Sequence, residues 1–90
     1  MSVKSIDKRL YDMGITLPEP AAPVASYVAT VEHDGLLHIS GQLPFVDGQI
    51  VKGRLGESVT LDDGVNAARA CGIMILAQAK AALGSLERVE

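Results

Sequence analysis

The ninety-residue sequence contains no tryptophan, one phenylalanine, two tyrosines and a single cysteine. So few aromatics leave no material for a bulky private core, and the apolar 48% of the chain, much of it alanine, suits close approach of one element to another. One cysteine rules out an intrachain disulfide and a two-cysteine, two-histidine finger, and it fits a reducing compartment. No stretch reaches eighteen apolar residues, and the opening MSVKSIDKRLYDMG has no apolar run after its lysines. Neither a membrane span nor a secretory signal is expected, and the cytoplasm is the expected location. Basic charge is also scarce: eight Lys and Arg against eleven Asp and Glu leave a net charge of -3. The basic residues are scattered from Lys4 to Arg88, which argues against a nucleic-acid partner. The dinucleotide and P-loop glycine fingerprints are absent as well.

A chain of this length forms one small domain that buries roughly 60 to 65 per cent of its unfolded surface, so its stability is marginal without a complete core or a partner. The spacing of Ile6, Leu10 and Met13 predicts a short helix over 5–13, stopped by Gly14, with Ile15 placed to meet Leu10. The three prolines of TLPEPAAP predict an extended strap over 16–25. SYVATVE and LLHISGQ, joined through Asp34-Gly35, predict a hairpin over 26–42 with a type I′ turn. A two-residue loop puts His33 opposite Leu36, Val31 opposite His38, Ala29 opposite Ser40 and Tyr27 opposite Gln42. Residues 43–59 read as loop or a short strand, with a second turn at Asp47-Gly48.

From Thr60 the period changes to that of a helix. Thr60 and Asp63 form a capping pair, and Leu61, Val65, Ala68, Gly72, Ile75, Ala79 and Leu83 form one apolar stripe over 61–83, about 33 Å long. Ile73 and Met74 fall about 120° and 140° from the centre of that stripe, either as scattered exposed residues or as a second face buried by another subunit. SLERVE resembles the start of a further strand. One long helix needs more sheet than a single hairpin and one doubtful strand provide, so this reads as a single partial domain or as one completed by other chains.

Few residues carry chemistry. His33, His38 and Cys71 lack metal-ligand spacing, so no metal is expected, and Cys71 reads as a buried, inert side chain. KGRLGES reads as a solvated turn before it reads as a phosphate loop. Asp62 and Asp63 are explained by helix capping, and Glu57 has no site around it. HISGQLP, residues 38–44, poses a sharper question, because a strand there ends in groups that pack little. It is either a plain strand exit or a place where backbone is kept bare for a ligand, with Tyr27 nearby on the shared face.

The ordered set LYDMGITLPEPAAPVASYVATVEHDGLLHISGQLPFVDGQIVKGRLG, followed by AARACGIMILAQAKAALGSLERV, resembles the RidA (YjgF-type, endoribonuclease L-PSP-like) family of enamine and imine deaminases over nearly all ninety residues. GITLPEP and GQIVKGRLG resemble a subgroup with a less clearly assigned substrate. The resemblance implies an α+β, chorismate mutase-like fold, a mixed sheet packed on long helices, present only in its first portion. It implies a homotrimer with ligand clefts between subunits, and a cofactor-free hydrolysis of small 2-imino acids to 2-keto acids and ammonia. It matches Tyr27, Ser40 and Gly41 to a pocket for a small carboxylate-containing ligand. The anchoring arginine and a water-associated acidic residue are expected after Glu90, with further strands and a second helix, and their roles do not pass to Arg54, Arg69 or Glu57. A non-catalytic oligomer that binds small acids is the alternative. Ribonuclease activity has no support from charge or aromatic content.

Overall fold

Both hairpins of the chain turn on Asp-Gly. The computed structural model describes residues 5–20, 22 and 26–90. In it Asp34 (φ 51°) with Gly35 (φ 75°), and Asp47 (φ 52°) with Gly48 (φ 79°), place two successive left-handed residues at each turn. That is type I′ geometry, whose twist matches the strands it joins. The first turn links β1 (Thr30–His33) to β2 (Leu36–Ile39), antiparallel, with His33 opposite Leu36 and Val31 opposite His38. The second links β3 (Phe45–Val46) to β4 (Gln49–Ile50), a short strand pair within a stretch that is otherwise turn and loop. The register of the first hairpin is therefore the one the two-residue loop predicts. Its strands are shorter than expected: Ser40 N still donates to Ala29 O at 2.9 Å, but Tyr27 sits in a bend and does not pair with Gln42.

The first helix, α1 (Ser5–Asp12), ends in a Schellman motif. Gly14 takes φ 73°, Ile15 N donates to Leu10 O at 2.9 Å, and Gly14 N donates to Tyr11 O at 3.0 Å. Its other end is capped from far along the chain. Ile6 N at 2.7 Å and Ser5 Oγ at 2.9 Å both donate to Oε1 of Glu87, and Lys80 Nζ meets Asp7 Oδ1 at 3.4 Å. A carboxylate there satisfies an orphan amide and faces the positive end of the helix. The strap predicted over 16–25 lies partly on residues 21 and 23–25, outside the described residues.

The long helix α2 (Leu61–Leu83) opens with the capping box, Asp63 N donating to Thr60 Oγ1 and Thr60 N to Asp63 Oδ2, both at 3.1 Å. It closes on Gly84, φ 80°, whose N–H donates to Lys80 O at 2.7 Å. The face it buries matches the predicted stripe only at the C-terminal end, where Ala79 is buried and Leu83 half-buried. Leu61 is 77% exposed and Val65, Ala68, Gly72 and Ile75 are exposed too, whereas Met74 is 5% exposed and Ala77 and Gln78 are buried. With half-buried Ala67, Ala70 and Cys71 they form an inner face nearly opposite the stripe, with Cys71 and Gln78 against Gln42 beyond β2. Small side chains let the helix axis approach the strands, and that face carries little periodic signal because alanine is only weakly apolar. Met74 therefore packs within its own chain instead of forming the second, intersubunit face, and Ile73 is half-buried beside it.

SLERVE is also not a strand. Leu86–Arg88 form a 3-10 turn, with Ser85 Oγ accepting from Glu87 N at 3.1 Å, and Leu86 at 2% exposure is the most deeply buried apolar residue described. Only Val89 returns to extended backbone. The class is α+β, and both ladders among the described residues are antiparallel, two strands each, with one isolated parallel bridge between Leu55 and Val59. The mixed sheet implied by the resemblance is not assembled from these residues. The smallest extent, 20 Å, is that of one strand layer under one helix layer. Among the described residues no helix is long and apolar enough to cross a membrane.

Candidate functional site

The segment leaving β2 is held by a short relay of hydrogen bonds. Ser40 Oγ donates to Ala29 O at 3.2 Å, which ties the hydroxyl back to the neighbouring strand and leaves its oxygen free to accept. Gln42 Nε2 donates to Ser40 O at 2.8 Å, and Gln42 Oε1 accepts from Gln78 Nε2 at 3.4 Å. Cys71 Sγ lies 3.5 Å from Gln42 O, its donor-side contact with this strand exit. Cys71 is half-buried, less deeply than expected, and it docks the segment on α2.

Gly41 stands in the middle of these contacts and makes none of them. It is exposed, and a Cβ added there would meet nothing within 4 Å. Nor does its backbone take a positive φ, so packing and strain within this chain do not require a glycine. Among the described residues no hydrogen bond engages its N–H. The amides of Gly41, Gln42 and Leu43 all donate to no partner among the described residues, and that of Gly41, on the exposed residue, stands beside the Ser40 hydroxyl oxygen, a pair able to meet an anionic oxygen and a donor respectively. Tyr27 is exposed and lies outside the ladder, so no hydrogen bond brings its hydroxyl to Ser40. Of the three predicted residues, Ser40 and Gly41 are neighbours in one ordered segment. Tyr27 stands apart.

Among the described residues two concavities lie beside α2, and neither of these is lined by Tyr27, Ser40 or Gly41. One, of about 720 Å³, lies between the strap residues Thr16 and Pro18, the β3–β4 turn and the helix, with Arg69 and Asn66 among its lining residues. The other, of about 650 Å³, runs along β2 between Leu37, Ile39, Ile75 and Leu83. We take the strand exit as the candidate site because its polar groups are fixed by hydrogen bonds, whereas the two concavities are broad openings beside a helix. Several of the other candidates make local contacts. His33 pairs with Asp34 at 3.3 Å on the surface, Arg54 with Glu57 at 3.7 Å, and Asp63 caps α2. Among the described residues no three His, Cys, Asp or Glu side chains gather as a metal site would require.

Gln42 and Gln78 are the residues that sequence reasoning missed. The available signal was Gln78 itself, one amide inside the apolar run GIMILAQAKAAL, where a polar side chain on a helix needs a partner if that face is buried.

Residues 7–90 match the family described as "YjgF/chorismate mutase-like, putative endoribonuclease". The chain is 48% identical over 82 residues to Protein TCP17 of Trypanosoma cruzi, covering 90% of this chain and 51% of that protein. Among solved structures it is similar to a "putative endoribonuclease" from Shewanella oneidensis MR-1, with TM-score 0.84 and 35% identity over 91% of this chain and 55% of that one. It is also similar to the protein Atu1372, of unknown function, from Agrobacterium tumefaciens, with TM-score 0.78 and 41% identity over 94% of this chain and 52% of that one. The chain thus spans about half the length of these relatives.

Proposed function

The chain belongs to the YjgF/chorismate mutase-like family, and we propose that it supplies one wall of a cleft in which small 2-imino acids are hydrolysed to 2-keto acids and ammonia. The observation that carries this reading is Gly41: an exposed amide donor with no partner and no Cβ-sized neighbour, next to a hydroxyl whose proton is already committed. A carboxylate oxygen of the substrate accepts from Gly41 N–H, and the Ser40 oxygen accepts from the imine nitrogen's proton. Water adds its oxygen to the imine carbon and a proton to nitrogen. The resulting carbinolamine expels ammonia as its hydroxyl becomes the keto group, so one water enters and one ammonia leaves, with no redox change. Positioned donors accelerate such an addition by holding the carboxylate and the developing charge in place.

An anchoring cation is still needed, and neither Arg54, paired with Glu57, nor Arg69, which lines another concavity, is given that role. In this reading the site is completed by residues outside this chain, in a homotrimer whose clefts lie between subunits, within the cytoplasm. The exposed outer stripe of α2 supports burial against something further. The second reading is a small-acid-binding protein without turnover. It is favoured by the Ser40 hydroxyl, whose bond to Ala29 O leaves it no proton to deliver.

The test uses a family member of full length bearing these residues, supplied with a 2-imino acid freshly generated by an amino-acid oxidase. Faster ammonia and keto-acid release than in buffer supports deamination. Binding of 2-oxobutanoate with no acceleration supports the second reading. Equal turnover by the ninety-residue chain alone would overturn the claim that the site is completed from outside it.

A further inference from the structure

We infer that Gln78 is a positioning residue for the candidate site: through Gln42 it fixes the plane of the Ser40–Gly41 peptide and so aims the Gly41 N–H outward. This rests on the reading of Ser40–Gly41 as a ligand wall. A peptide unit is planar and trans, so the Ser40 carbonyl and the Gly41 N–H belong to one rigid plane and point in opposite directions. Gln42 Nε2 grips that carbonyl at 2.8 Å. Because Gln42 must present its NH₂ to a carbonyl, its Oε1 faces the other way, where Gln78 Nε2 reaches it at 3.4 Å.

Glycine makes this clamp necessary. With no Cβ, Gly41 gives its neighbouring peptide unusual freedom to rotate, and a flipped unit would offer a carbonyl where the proposed carboxylate binds. Gln78 is 5% exposed on the inner face of α2, an expensive place for an amide unless it is bonded. A methionine or leucine would fill the same volume of an apolar face with no such requirement. The geometry therefore links the rigid helix to the bare amide of the exposed Gly41, with Cys71 Sγ against Gln42 O as a second point of attachment.

The experiment uses a full-length homologue carrying these residues, with 2-oxobutanoate as the probe, and compares wild type, Gln78→Met, Gln42→Met and the double variant. The clamp itself is read without ligand, from the Gly41 amide resonance. In Gln78→Met it is expected to shift and its hydrogen exchange to quicken, with 2-oxobutanoate bound about three- to tenfold more weakly. Because the two amides act as one relay, the double variant should bind no more weakly than Gln42→Met alone. Should Gln78→Met fail to fold, the double variant carries the measurement. An unchanged Gly41 resonance, or additive losses in the double variant, overturns the inference, as does lost stability with wild-type affinity in the folded fraction. Gly41→Pro, which removes the N–H, tests the underlying reading separately. Unchanged affinity there refutes the ligand wall, while the Gly41 resonance of Gln78→Met still decides whether the clamp exists.

Discussion

The two long faces of α2 differ in size of side chain and in fate. The inner face, with Ala67, Ala70, Cys71, Met74, Ala77 and Gln78, is mostly small and is buried or half-buried, with Cys71 and Gln78 against Gln42. The outer face, with Leu61, Val65, Ala68, Gly72 and Ile75, has the larger aliphatics and is exposed until Ala79 and Leu83, where the last turn meets the C-terminal segment around Leu86. A helix that is apolar on nearly every side belongs between two layers, and the described residues provide one. Hydrophobicity therefore marks which residues want burial, while contact geometry chooses which of them this chain can bury by itself.

The largest effect separating the two faces should come from truncating the residue that closes the covered end. Leu86→Ala is expected to cost about 3 kcal/mol, through lost transfer energy and a residual cavity, enough to unfold much of a marginal ninety-residue chain. Leu61→Ala on the outer face should change stability by no more than about 0.5 kcal/mol. Urea unfolding of both variants checks the contrast, and equal losses would mean that the outer face is already covered.

Glu87→Ala should be smaller and local. Removing the carboxylate that accepts from Ile6 N and Ser5 Oγ should loosen α1 by about 1 to 2 kcal/mol and leave α2 intact. Hydrogen exchange would show it as faster exchange in the first helix alone. An equal rise across α2 would contradict a latch confined to α1.

The smallest effect has the opposite sign. Gly72 lies within α2 with nothing within 4 Å of an added Cβ. Gly72→Ala should stabilise this chain by about 0.5 to 1 kcal/mol through helix propensity. In a longer protein whose second layer packs on that stripe, the same substitution should lose that gain or reverse it. Thermal melts of the two proteins side by side would sharpen the comparison.

Elements governed by neighbouring residues were legible in the sequence. The Asp-Gly turns set the hairpin register, Thr60 and Asp63 close the capping box, and Gly14 and Gly84 stop their helices, because each acts through backbone conformations and hydrogen bonds spanning a few residues. At the candidate site, Ser40 and Gly41 could be singled out because small groups at a strand exit are a local anomaly. What the sequence did not determine was the face of α2 that packs, the 3-10 turn in place of a strand at Leu86, the reach of Glu87 to α1, and the Gln78–Gln42 bond that steadies Gly41. Each joins residues distant in the chain or weighs two apolar faces against each other. Only tertiary structure decides such cases, because burial is determined by which surface a neighbour can approach closely, not by which is richer in large aliphatics.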